Sequence, residues 1–239
     1  MKKFLVFLTL LVMSATAFAG TAPNSGVVGS LHDMNTITGA TDDVEGRVCA
    51  FCHTPHHAIV DATADYLPLW AHQLNDSTSF APYSTVTLDA TIEDPFIGPS
   101  RLCMSCHDGV IAADQHYNFA GSPLVVTGDS WGQRAVGSTN LAGEHDFSND
   151  HPIGFLFEPV AAVDQEVFSS VNRDFIGNTA GVQVEDVLTD GYMTCATCHD
   201  VHNSSNAVHS LATKNYFVYS PQEGSQLCLT CHDKGDETP

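Results

Sequence analysis

The sequence is short of basic residues, with 8 Lys and Arg against 28 Asp and Glu, and its formal net charge is −20. Phosphate backbones are held by clustered Lys and Arg, so this imbalance excludes nucleic acid as a partner. Long apolar runs are also missing: the best one, Phe4 to Met13, is too short to span a bilayer, and no later stretch approaches the length of a transmembrane helix. Sustained helical or strand periodicity is absent too, and 18 Gly and 11 Pro break the chain into short pieces. A chain of 239 residues would ordinarily build one or two regular domains around an apolar core. Here something other than regular secondary structure has to supply that core. Methionine is scarce as well, with 5 in the whole chain and only Met34, Met104 and Met193 beyond residue 19.

What the chain does have is a repeated cysteine motif that leaves no cysteine over. All 8 cysteines fall into CxxC pairs, and a histidine follows each pair at once. The copies are Cys49-Ala50-Phe51-Cys52-His53, Cys103-Met104-Ser105-Cys106-His107, Cys195-Ala196-Thr197-Cys198-His199 and Cys228-Leu229-Thr230-Cys231-His232. Disulfides, paired-CxxC zinc sites and a thioredoxin-like redox pair would each account for the cysteines, but none accounts for the histidines. Histidine is 13 of 239 residues, so its chance occurrence after every pair is on the order of 1 in 100,000. CxxCH is the attachment signature of a c-type haem, in which both sulfurs bond the porphyrin and the histidine ligates iron. The expectation is four haems c, bound through Cys49, Cys52, Cys103, Cys106, Cys195, Cys198, Cys228 and Cys231, with His53, His107, His199 and His232 as proximal ligands.

Residues 1–19 read as a signal peptide, from the basic Lys2-Lys3, the apolar run and the Ala17-Phe18-Ala19 cleavage pattern. That leader takes two of the eight basic residues and none of the acids, so the remainder is more acidic still. Export suits thioether chemistry and paired thiols, and the expected location is the periplasm or the cell surface and extracellular space. Residues 20–239 are expected to form a single domain, mostly coil with short helices and a few short β-strands, wrapped around the haems. Within it, Ser100 to Asp108 is expected to be helical. Strands are expected at Thr85 to Ile92, Leu124 to Thr127, Val182 to Leu188 and Tyr192 to Thr194. Gly20 to Ser30 reads as an extended arm, and the tail beyond Lys234 as loose.

The motifs alternate. The first and third run CxxCHxxH, pairing His53 with His56 and His199 with His202, whereas the second and fourth run CxxCHD. A lone histidine precedes each half, His32 in the first and His151 in the second, which implies a tandem repeat with halves of about 31–120 and 145–235. Matching the halves selects His32, His56, His151 and His202 as distal ligands. His72, His145 and His209 are held in reserve, with His116 and His57 behind them, as solvated or propionate-bonding residues. Met104 lies inside a motif and cannot reach a distal face, so histidine supply favours bis-His ligation. A side chain three residues past a proximal ligand cannot cross its own haem, so His56 and His202 should each serve the iron of another motif.

Several segments together resemble the multihaem c-type cytochromes with doubled CXXCH motifs: Cys52-His53-Thr54-Pro55-His56, Pro68-Leu69-Trp70, Cys106-His107-Asp108-Gly109, Asn149-Asp150-His151-Pro152 and Cys198-His199-Asp200-Val201-His202-Asn203. Within that group the chain is similar to the OmcE-type tetrahaem nanowire-forming cytochromes. It departs from them at Ala71-His72, where an Asn is expected before the basic position. The resemblance implies bis-His haems stacked in a line and subunits polymerised head to tail into an extracellular wire. The partners it implies are other copies of the chain and redox cytochromes or extracellular electron acceptors.

Function follows from the ligand count. Bis-His iron has no open position, so the chain is expected to relay electrons and not to be an enzyme. A multihaem reductase would need one five-coordinate iron, and no deviant motif such as CxxCK marks one. A monomeric periplasmic shuttle is the other alternative. His32 follows an eleven-residue arm that reaches up to about 35 Å when extended, so His32, or failing that another distal histidine, is expected to complete a haem in a neighbouring chain.

Overall fold

The computed structural model of the protein describes residues 26–62, 64–74, 80–109, 111, 113–117, 123–124, 136, 147–178, 181–202 and 216–234. Most of these residues are coil and turn. The longest helix among them, α1 (Pro99–His107), has 9 residues. It starts where Gly98, at φ 56°, reverses the chain with Pro99 at the first helical position. A Cβ at Gly98 would meet the Thr189 side chain at 2.8 Å, so the turn needs both the left-handed backbone and the missing side chain. α1 buries Ser100, Leu102, Met104 and Ser105. Three shorter helices follow: α2 (Phe157–Ala161), α3 (Cys195–Cys198) and α4 (Gln226–Cys231).

The strands are two residues each. β1 (His116–Tyr117) pairs antiparallel with β2 (Pro123–Leu124), and β3 (Phe155–Leu156) with β4 (Tyr192–Met193) in the register Phe155 to Met193. The second pair puts Phe155 and Met193 into an apolar cluster with Phe157, Phe175, Val182 and Val184. Two smaller clusters are built on Phe80, Phe96, Met104 and Phe147, and on Met34, Phe51 and Ala113. Cys198 and Cys231 pack on the first, and Cys52 and Cys106 on the third. The core is thus divided into patches that abut the cysteine motifs. None of the described helices is long and apolar enough to cross a membrane.

Two expected strands are not present. Thr85 to Ile92 alternates in sequence, but it finds no partner strand and leaves Val86 fully exposed. Val182 to Leu188 turns into a 3-10 helix at Val184–Val187, because the Gln183 and Asp186 side chains close a capping box across its first turn. The expected strand at Leu124 to Thr127 is met at Leu124 alone, and residues 125–127 lie outside the described set. So do residues 1–25, which hold the leader and most of the arm, and the tail from residue 235.

Candidate haem sites

Each motif closes about one helical turn. His53 N donates to Cys49 O at 2.8 Å, His199 N to Cys195 O at 3.1 Å and His232 N to Cys228 O at 2.9 Å, while the second motif lies within α1. Residues i, i+3 and i+4 of such a turn share one side, so the two sulfurs and the imidazole of every motif face the same way. The turns are anchored individually. Asp43 accepts from the backbone N–H of Glu45 and Arg47 and pairs with the Arg47 guanidinium at 2.9 and 2.6 Å, just ahead of the first motif. Thr194 and Thr197 form a capping box on α3. In the second and fourth motifs the hydroxyls of Ser105 and Thr230 bond back to Leu102 O and Gln226 O.

The first and third motifs carry one construction twice. His53 Nδ1 lies 2.7 Å from Pro68 O, and His199 Nδ1 lies 2.7 Å from Tyr216 O. Thr54 N donates to Leu69 O and Asp200 N to Phe217 O, while Ala71 N donates to Cys52 O and Tyr219 N to Cys198 O. Leu69 and Phe217 both hold left-handed backbones, at φ 55° and 62°. A carbonyl on Nδ1 fixes the tautomer and leaves Nε2 as the nitrogen free to ligate metal.

The histidines meet in pairs drawn from distant parts of the chain. Ring centroids are 6.1 Å apart for His32 and His107, 6.2 Å for His53 and His202, and 6.2 Å for His151 and His232. Two imidazoles bound through nitrogen at about 2 Å to one metal between them have centroids about 6 Å apart, so all three separations fit an iron held from both faces. The ring planes differ by 60°, 23° and 63°, as they are free to do when each ring turns about its own metal bond. Trp70 stands edge-on to His53 at 5.5 Å, and Phe217 edge-on to His32 at 4.7 Å.

Within the single chain His32 sits against His107. The Met34–Thr36 turn and the Gly29 N bond to Asp33 fold its segment back onto the body. His202 faces the first motif and not its own. His56 is exposed, and His199 meets no second histidine ring among the described residues. His72 is fully buried, with Nδ1 at 3.1 Å from Gln73 O, which rules out the solvated one of the roles weighed for it. His57 is exposed at φ 64°. His145 and His209 lie outside the described residues, as does the side chain of His116.

Burial sets the electrostatics. Desolvation by the surrounding protein pulls His32 down to about 4, helped by the nearby His107, His199 and His202, and shifts His151 and His199 in the same direction. Burial pushes the Cys52, Cys106 and Cys198 thiols up to about 12 and Cys231 up to about 11. The Cys103 and Cys195 thiols share a hydrogen bond, which raises Cys103 and lowers Cys195. The Cys103 and Cys195 thiols thus join the second motif to the third, while Cys52 and Cys106 pack on one apolar cluster and Cys198 and Cys231 on another.

No disulfide joins any of the eight cysteines, and among the described residues no group of three or more His, Cys, Asp or Glu is placed to hold a lone metal ion. The disulfide and structural-zinc readings of the motifs thus lack their geometry, whereas the paired imidazoles have the spacing haem iron needs. Residues 187–237 match the family model described as Doubled CXXCH motif, a span that contains the third and fourth motifs. No curated protein matches the chain. The doubled motif marks a multihaem c-type cytochrome that transfers electrons through covalently bound haem c.

Proposed function

We propose that the protein is an exported relay carrying four bis-His haems c, one on each motif, and that copies of it assemble into an extracellular conducting filament. The observation that carries the relay is the set of three histidine pairs spaced about one iron apart. The haems supply reversible one-electron storage. The chain's own residues do the rest. Paired cysteines anchor each group, and His107 with His32, His53 with His202, and His232 with His151 hold the irons from both faces. Carbonyls of Pro68 and Tyr216 orient His53 and His199. Trp70 and Phe217 pack edge-on against His53 and His32, and Phe51 is buried within the first motif. The Cys103–Cys195 thiol pair joins the second motif to the third, and shared apolar clusters join the first to the second and the third to the fourth, which supports a relay running through the motifs in chain order.

Intact mass and pyridine haemochrome absorbance test the haem number, with four expected. Electron paramagnetic resonance of the native assembly tests the ligation, with every iron low-spin. A charge-transfer band of the His–Met type in native protein refutes the bis-His assignment.

His199 gives the reductase alternative its one foothold, since among the described residues no second histidine ring faces it. Cyanide or nitrite shifting the Soret band of native protein, with turnover of nitrite, would favour that reading.

A further inference from the structure

Trp70 is buried, and its indole Nε1–H meets no acceptor among the described residues. The backbone around it is tied on both sides: Thr54 N donates to Leu69 O at 2.9 Å, Ile59 N to Trp70 O at 2.9 Å and Ala71 N to Cys52 O at 2.8 Å. The ring stands edge-on to His53, with centroids 5.5 Å apart and planes at 87°. A buried indole N–H ordinarily finds a partner, because a donor stripped of water and left unbonded gains nothing in return.

The third motif shows that the fold itself does not call for an indole here. Its clamp is the same one, with Tyr216 O in place of Pro68 O on the histidine Nδ1, Phe217 O in place of Leu69 O, and Tyr219 N in place of Ala71 N donating to the second cysteine of the motif. In that frame Trp70 corresponds to Val218, since His53 bridges to Trp70 as His199 bridges to Val218. Val218 is buried as well, and its side chain has no polar atom. One backbone frame thus closes over two different side chains, and what sets the first motif apart is a polar N–H beside its proximal histidine.

A porphyrin held by Cys49, Cys52 and His53 brings acceptors of one kind, the carboxylates of its propionates, since iron occupies its nitrogens. Cations to meet them are scarce in a chain with 8 Lys and Arg. The Arg47 guanidinium, two residues ahead of the motif, is paired with Asp43 at 2.6 Å. A neutral N–H donor on an ionised carboxylate makes a charge-assisted hydrogen bond, which is stronger than one between neutral groups.

We infer that Trp70 binds the first haem by its edge, donating Nε1–H to a propionate carboxylate. The inference rests on the relay reading above and assigns a binding residue within it. The bond draws negative charge away from the porphyrin, which favours the ferrous iron and raises the potential of that haem. The third haem has Val218 at the same place and no such donor. Two haems alike in attachment and in the carbonyl behind their proximal histidine are thereby made unequal steps of the relay.

The test uses full-length haem-loaded protein as wild type, Trp131→Phe, Trp70→Phe and Trp70→Val. The chain has 2 tryptophans, so Trp131→Phe leaves Trp70 as its single indole, and ultraviolet resonance Raman reads the ring mode that responds to N–H hydrogen bonding. That mode is expected at the position of a bonded indole and to move when the irons are reduced, because the acceptor belongs to a haem. Trp70→Phe keeps an aromatic ring beside His53, and Trp70→Val copies the third motif. Both are expected to keep four attached low-spin haems while one of the four redox couples shifts to lower potential in spectroelectrochemical titration, with a matching change in the carboxylate bands of the redox infrared difference spectrum. An unbonded indole in Trp131→Phe would overturn the inference, as would a bonded one whose mode ignores reduction, the result expected of a trapped water. Four unchanged couples in the Trp70 variants would overturn it too. Were both variants to lose a haem, the Trp131→Phe spectra would decide by themselves. A wild-type haem count other than four, or high-spin iron in the native assembly, would overturn the relay reading instead.

Discussion

The imidazoles of His53 and His202 lie 6.2 Å apart at an interplanar angle of 23°, although 149 positions separate them in the chain. His202 stands three residues beyond the proximal ligand of the third motif and yet faces the first. Replacing it with Ala should therefore turn the iron of the first motif high-spin and leave the third motif's ligation as it was. Resonance Raman spin-state marker bands, read beside a His53→Ala comparison, decide which motif is affected.

Acid stability should depend on Asp43. The Arg47 hydrogen bond, with backbone N–H donors behind it, holds the Asp43 carboxyl well below the usual carboxylate range, and its side chain is 1% exposed. Because the folded value is depressed, the stabilisation is complete above about pH 4, the unfolded value, and is lost as pH falls through the folded one. Asp43→Asn should lower stability at neutral pH by about 2–3 kcal/mol and flatten the acid limb of the stability curve. Urea unfolding followed at several pH values checks both. An acid limb as steep as that of wild type would count against the assignment.

Gly154 allows little room. It holds φ 82°, donates to Met193 O at 2.8 Å and accepts from Glu93 N at 3.0 Å, and a Cβ there would collide with the Asp94 carbonyl and Pro95 backbone. Gly154→Ala should cost about 2–4 kcal/mol through strain and overpacking. It should also displace His151, three residues earlier, and weaken the low-spin signal of the fourth motif. Denaturant midpoints and spin-state spectra read the two effects separately.

Arg173 pins the fourth motif. Its Nε donates to Thr230 O at 2.5 Å and a terminal nitrogen to Leu229 O at 2.9 Å, with the guanidinium 3.9 Å over the Phe168 ring. Arg173→Ala should cost about 2–3 kcal/mol by leaving those carbonyls unpaired. Arg173→Lys should recover little, because an ammonium cannot reproduce the fork. Amide hydrogen exchange across Gln226–Cys231 should rise in both variants.

The sequence alone determined what is local. A CxxCH motif is one turn of backbone, so its cysteines and histidine share a face wherever the chain goes, and the matched spacing of His53-x-x-His56 and His199-x-x-His202 is legible for the same reason. The coil-rich character was legible too, because Pro and Gly interrupt every candidate element. Tertiary structure decided which distant histidine meets which motif, since those pairings depend on the path of long loops that no spacing encodes. That path folds His32 back onto His107 through the Asp33 bond to Gly29, brings His151 to His232 and carries His202 across to His53. It also decided where alternation makes a strand: Tyr192–Met193 finds Phe155–Leu156 beside it, while Thr85 to Ile92 finds no neighbour and stays irregular, because a strand exists only where another chain segment takes up its hydrogen bonds.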